Sequence, residues 1–117
     1  MAKNSPDNPE LKGLIRDLEA PKSSPIYKAV AYELGKPKRK RVSVNLGKIS
    51  TLAKDGETVI VPGKILSSGV LDKKLTVVAF AYSEAAKGSI TKAGGKTMTI
   101  RELVEKNPKG TGVSIIK

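Results

Sequence analysis

Glu57-Thr58-Val59-Ile60-Val61-Pro62-Gly63-Lys64-Ile65-Leu66-Ser67-Ser68-Gly69-Val70-Leu71 lies near the middle of a chain of 117 residues. Its first five residues are rich in β-branched side chains and predict a strand. Pro62-Gly63 punctuates that strand, Lys64-Ile65-Leu66 extends beyond it, and Ser67-Ser68-Gly69 turns. Further on, Leu75 to Ala81 reads as a buried strand. Ser83 then caps a helix, with Glu84 in the first turn favourable to the helix dipole. Ala85, Ala86, Ile90 and Ala93 are its inward residues, and Gly94-Gly95 closes it. Thr97-Met98-Thr99-Ile100 is a short strand, and Thr99 and Glu102 have capping-box spacing for a last helix to about Lys106. Asn107-Pro108 stops that helix, and Val113 to Ile116 forms a final strand. Strands alternating with short helices imply an α/β layered core.

Upstream the pattern is helical. Residues 1–7 read as a loose tail. Asn8 caps a helix with Pro9 at its first position, and Leu11, Leu14, Ile15 and Leu18 recur on one helical face. Pro21 ends it, and Ser24-Pro25 repeats the cap-and-proline start. Ile26, Ala29, Val30 and Leu34 form a second apolar stripe, with Gly35 as its stop, so a helical hairpin joined by Pro21-Lys22-Ser23 is expected. Val42-Ser43-Val44 is extended, and Asn45 caps a short third helix bearing Leu46, Ile49 and Leu52 and ending near Asp55-Gly56. Gly47 in its first turn is the weak point. The chain reads as one domain, residues 1–117. Residues 1–54 are its helical, basic part and residues 55–117 its α/β core.

Charge supplies the functional signal. Between Leu34 and Lys54 there are seven basic residues and no acid, a net +7 out of the chain's +11. Lys36, Lys38, Arg39, Lys40 and Arg41 make the dense run, with Lys48 nearby. Such clustering repels itself unless a polyanion relieves it. Nucleic acid is the commonest relief, because each neutralised phosphate releases condensed counterions. Arg39 and Arg41 suit bidentate phosphate contacts, and the lysines act as point charges. In the 62–69 loop, Lys64, Ser67 and Ser68 add contacts beside glycine, where backbone and phosphate can approach closely. Lys73, beside Asp72 in what reads as a hairpin tip or partner-facing turn, joins the candidates. Aromatics make up only 3% of the chain, and Phe80 reads as core, so recognition of backbone and shape is favoured over base stacking.

The same composition removes several chemistries. With no cysteine and no histidine, disulfides, thiolate chemistry, Cys/His zinc sites and a histidine base are excluded. No cofactor or metal is implied. The Met1-to-Pro6 start has no apolar stretch, and no apolar run approaches a membrane span, so neither a signal peptide nor a membrane partner is expected. Gly94-Gly95-Lys96-Thr97 imitates a phosphate loop, but Ile90 stands where its first glycine belongs, and a helix precedes it instead of a strand. Gly110-Thr111-Gly112 fails the dinucleotide fingerprint because Ile115 takes the third glycine position. Ser67 and Ser68 have no histidine to activate them, and no small-molecule substrate is indicated.

Val44-Asn45-Leu46-Gly47-Lys48-Ile49, the Glu57–Leu71 stretch, Leu75-Thr76-Val77-Val78-Ala79-Phe80-Ala81-Tyr82-Ser83 and Asn107-Pro108-Lys109-Gly110 together resemble the large-subunit ribosomal protein family eighteen-e. That family is related to bacterial ribosomal protein fifteen. The short length is similar to archaeal members. The resemblance covers nearly the whole chain and implies an α/β fold: N-terminal helices followed by an irregular strand-strand-helix superhelical core. It also implies a non-enzymatic, cytoplasmic role on the ribosome, binding and stabilising large-subunit ribosomal RNA beside neighbouring ribosomal proteins. The resemblance fixes no individual contact. The candidates Lys36, Lys38, Arg39, Lys40, Arg41, Asn45, Lys48, Lys64, Ser67, Ser68 and Lys73 rest on charge and loop position. The alternative is a general DNA- or chromatin-binding basic protein. For base reading its second helix offers outward only Tyr27, Lys28, Ala31, Tyr32 and Glu33.

Overall fold

The computed structural model describes residues 9–20, 23–37 and 40–117. The expected tail, the Asn8 cap, the Pro21-Lys22 stop and the candidates Lys38 and Arg39 lie outside the described residues. Chain order is α1 (Pro9–Leu18), α2 (Pro25–Leu34), β1 (Val42–Asn45), α3 (Leu46–Leu52), β2 (Thr58–Leu66), β3 (Thr76–Tyr82), α4 (Glu84–Lys92), β4 (Lys96–Thr99), α5 (Ile100–Lys106) and β5 (Val113–Ile115).

Every strand pairing is parallel. β2 is the spine: β3 and then β4 lie along one side. On the other side β5 pairs with Thr58–Ile60 and β1 with Gly63–Leu66, so two short strands share one long edge. Parallel sheets need cover on both faces, and period-2 alternation supplies it. Val59, Val61, Ile65, Val77 and Ala79 pack with Leu46 and Ile49 of α3 and Ala86 and Ile90 of α4. Ile60 and Val78 point the other way, against Leu11, Leu14, Leu18, Val30 and Leu34 of α1 and α2 and Ile100 and Leu103 of α5. Residues from both sides of position 54 thus share both cores.

Local chemistry sets the element boundaries. Three helices begin where strands end, each on its own cap. Asn45 accepts from the Lys48 N–H, Ser83 from that of Ala86, and Thr99 with Glu102 completes a reciprocal capping box. Ser24 takes the cap position of α2 without making a cap bond, and Pro25 supplies the helical φ instead. Gly35 closes α2 in the right-handed region (φ −77°), so a left-handed stop is not used there. Pro62-Gly63 does not end the strand as expected. β2 runs through it, and the interruption is absorbed as a register shift between Val61 and Lys64 against β3.

Inward faces also shift. Ala85, Ala29 and Leu52 are exposed, whereas Tyr27, Ala31 and Glu33 are buried. α2 is covered by both α1 and the sheet, so its buried arc is wider than one stripe, and the Tyr27 hydroxyl donates to the Asn107 carbonyl at 2.5 Å.

The β2–β3 connection gives the core its strand-strand-helix unit. Residues 67–75 return the chain to the start of a parallel neighbour without a helix, in less than the dozen residues such crossovers usually take. The return is pinned to α3. Gly69, with φ at +88°, lies against Gly47, where a Cβ on Gly47 would sit 3.3 Å from the Gly69 Cα. The apparent weak point of α3 is thus the place where two backbones touch. Asp72 accepts from the Ser50 hydroxyl at 3.0 Å, and the Lys73 ammonium donates to the Ser50 and Ala53 carbonyls at 2.5 and 2.7 Å. This is no hairpin tip. A cation closes the C-terminal turn of α3, where the helix dipole is negative.

Candidate nucleic-acid interface

The basic run starts from a fixed point. Glu33 is 5% exposed, and its carboxylate accepts from Lys36 Nζ at 2.9 Å and Lys117 Nζ at 2.8 Å. The Lys36 ammonium also lies 5.3 Å from the centroid of the Tyr32 ring. The main-chain oxygen of Lys117 in turn accepts from Lys48 Nζ at 2.7 Å. Two candidate contact cations, Lys36 and Lys48, are therefore tied into one intramolecular network.

The hydrogen bond from Lys117, then that from Lys36, holds the Glu33 carboxyl below its ordinary value, against the opposing effect of burial. A depressed carboxylate contributes stability above its unfolded value of 4.5 and loses it as pH falls through the folded value. Glu33→Gln should therefore melt lower than the parent at pH 7, by about 1–2 kcal/mol because both lysines remain partly in solvent. The gap between the two proteins should narrow as pH falls below 4.5. Paired thermal melts across that range check this, and a gap that stays constant as the pH is lowered would contradict it.

Past this anchor, the Lys40 N–H donates to the Pro37 carbonyl at 2.8 Å, turning the chain into β1. The Lys40 side chain is exposed. Arg41 donates from Nη2 to the Lys36 carbonyl at 3.4 Å, and its Nε is buried with no partner among the described residues. β1 pairing then sets Val42 opposite Gly63 and Ser43 opposite Lys64. As a result Arg41, Ser43 and the exposed Lys64 border one groove of about 300 Å³, together with Val42, Gly63, Phe80 and Ala81. No acid lines it. The structure thus brings the end of the basic run to Lys64, which sequence spacing alone did not require.

The remaining candidates are less available. Asn45 Oδ1 is engaged as the α3 cap, and the Ser68 carbonyl accepts from the Gly47 N–H at 3.0 Å. The Ser68 side chain is exposed and Ser67 partly so. Lys73 spends two N–H bonds on α3. Two features escaped the sequence reading. Phe80, expected in the core, is only partly buried and floors the groove. Lys74 packs its stem against the Gly94 turn, which Lys92 and Lys96 flank, and all three lysines are exposed. The signal for the latter lay in Lys92-Ala93-Gly94-Gly95-Lys96, which drew attention only as a phosphate-loop imitation.

Among the described residues no helix is long and apolar enough to cross a membrane. Residues 9–117, which include every helix and strand, match the family described as ribosomal protein 60S L18 and 50S L18e. A protein of Methanococcus maripaludis named large ribosomal subunit protein eL18 is 46% identical over 112 residues, spanning 96% of this chain and 93% of that protein. The proteins of the same name from Methanopyrus kandleri and Archaeoglobus fulgidus are 44% and 41% identical. Each match covers 99% of this chain, and 98% and 99% of those proteins respectively. A match through every element of the fold, with relatives 41% to 46% identical across nearly its full length, shows that the chain belongs to the ribosomal protein L18/L18e family.

Proposed function

We propose that this protein is a structural constituent of the large ribosomal subunit that binds large-subunit ribosomal RNA and stabilises its fold, next to other ribosomal proteins. The role is structural and not enzymatic, and its place is the cytoplasmic ribosome. The observation that carries the reading is the β1–β2 edge, lined by no acid among the described residues, where Arg41, next to the exposed Lys40, meets Lys64 in a family member of net charge +11. Phosphate contacts position such a protein on RNA without reading sequence. Lys40, Arg41 and Lys64 are the proposed principal contacts, extended by Lys38 and Arg39. The hydroxyls of Ser67 and Ser68 and the free amide group of Asn45 supply short-range donors. Lys36 and Lys48 have partners within the chain and contribute chiefly as charge, while Lys73 holds the loop that carries the serines.

General DNA binding finds less support. Three of the side chains that a reading helix would need outward on α2, Tyr27, Ala31 and Glu33, are buried. Sedimentation through a gradient after a moderate salt wash tests the proposal. The protein should travel with large subunits, and recovery wholly in the free fraction would refute it.

A further inference from the structure

We infer that the groove between Arg41, Lys64 and Phe80 takes one unpaired nucleotide of RNA, its base on the Phe80 ring and its phosphate between the two cations. This deepens the ribosomal-RNA reading and rests on it. The groove exists because helical cover runs out along one face of the sheet. Ile60 and Val78 on that face are fully buried beneath α1, α2 and α5. Phe80, two residues further along β3, is only partly covered. Beyond it Ala81 and Gly63 offer no bulk, and the floor remains open and apolar.

The walls have the opposite character. Arg41 immediately precedes β1 and Lys64 stands on the neighbouring β2, with the exposed Ser43 directly across from Lys64. Among the described residues none that borders the space is acidic. A floor that repels water under a cationic rim matches a nucleotide, which carries a flat apolar face and an anionic phosphate. A duplex would bring only the phosphates, because its bases are already stacked on each other. The groove volume, about 300 Å³, stands at the lower end of ligand pockets, roughly 300–1,000 Å³. That suits a single ring system and not a folded ligand.

Arg41 adds an independent observation. Its Nε is buried with no hydrogen-bond partner among the described residues, and the hydrogen bond from its Nη2 to the Lys36 carbonyl is long at 3.4 Å. Buried donors are normally satisfied. A guanidinium is a planar fork matched to phosphate oxygens, and a guanidinium held this loosely can turn toward a phosphate in the groove that it lines. The scarcity of aromatic residues makes the placement of Phe80 more informative, since it is the chain's one phenylalanine.

The test uses the full chain with in-vitro-transcribed large-subunit ribosomal RNA and, separately, a fully paired RNA duplex. Phe80→Leu keeps an apolar side chain but removes the aromatic plane, and should weaken binding to the ribosomal RNA by about ten-fold. Its affinity for the duplex should stay unchanged. Phe80→Tyr, which keeps the plane, should bind both RNAs as the parent does. Equal loss in the two variants would identify a packing defect and overturn the inference. So would parental affinity in Phe80→Leu, or a loss on duplex as large as on ribosomal RNA. If the parent itself shows no preference for ribosomal RNA over duplex, it is the ribosomal reading that fails. If that preference stands while Phe80→Leu is silent, only the nucleotide site fails.

Discussion

Gly63→Ala is expected to lower the melting temperature by about 10 °C and to weaken ribosomal-RNA binding without altering a single charge. A Cβ at position 63 would overlap the Val42 carbonyl oxygen and come within 2.8 Å of the Val42 carbonyl carbon. Both are backbone atoms, so no rotamer change relieves the clash. The relief must come from β1, a four-residue strand whose only partner strand among the described residues is β2. Moving it off would undo the Val42↔Gly63 and Ser43↔Lys64 register and loosen Val44 and Leu46, now 2% and 0% exposed. Overpacking of this kind costs about 1–3 kcal/mol and sometimes more. Near the upper end of that range, at roughly 3–5 °C per kcal/mol for a chain of this size, the shift is about 10 °C. Arg41 would leave Lys64 in the same movement, which is why binding should fall too. Gly13→Ala is the control. Its added carbon would meet only the flexible ends of Arg101 and Arg16, at 3.5 and 4.0 Å, and alanine is favoured over glycine inside a helix. That variant should melt at or slightly above the parent temperature. A Gly63→Ala protein melting within two or so degrees of the parent would refute the account.

Gly63 also marks the boundary of what could be read from the sequence. Caps and alternation were legible because they depend on residues a few positions apart. Asn45, Ser83 and Thr99 each sit three residues before the amide they satisfy, and Val59 and Val61 face away from Ile60 because strands alternate. Pro62-Gly63 misled because the same dipeptide serves a turn or a bulge, and only the partner strand decides between them. The glycine is needed for a close approach to Val42, a residue brought there by tertiary pairing. Tyr27 and Glu33 misled for a related reason. A helix covered from two sides buries more than one stripe, and one of the two counter-ions that make a buried Glu33 tolerable, Lys117, comes from the far end of the sequence while the other, Lys36, is local.

The candidate interface was legible as a charge and not as a geometry. The run from Lys36 to Arg41 announced a polyanion partner, yet it did not show which cations are free. Lys36, Lys48 and Lys73 look like Lys40 and Lys64 in the sequence, and the structure separates them by their partners: Glu33, the Lys117 oxygen and the α3 carbonyls. Phe80 was hidden for the opposite reason. An apolar run implies burial, and nothing local reports where the covering helices stop.

The distinction between free and engaged cations has its largest consequence in salt. If about six phosphates are neutralised, affinity for large-subunit ribosomal RNA should fall by roughly three orders of magnitude between 50 and 200 mM salt. Each exposed cation with no side-chain partner among the described residues should carry its own part of that slope. Lys40→Ala and Lys64→Ala should each reduce it by about one, with little effect on folding, since both side chains are exposed. Lys73→Ala should behave in the reverse way. Its ammonium already satisfies the Ser50 and Ala53 carbonyls and closes α3. Removing it should leave the slope unchanged and cost about 1–2 kcal/mol of stability. The chain retains equal formal charge in the Lys64→Ala and Lys73→Ala variants, so a general electrostatic attraction would predict the same binding loss in both. Titrations of labelled RNA at four salt concentrations, with a thermal melt of each variant, separate the two views. Equal slopes for Lys64→Ala and Lys73→Ala would mean that net charge alone governs binding and that the β1–β2 edge has no special part in it. A shallower slope confined to Lys40→Ala and Lys64→Ala would tie binding to the place where the basic run meets the bulged spine of the sheet.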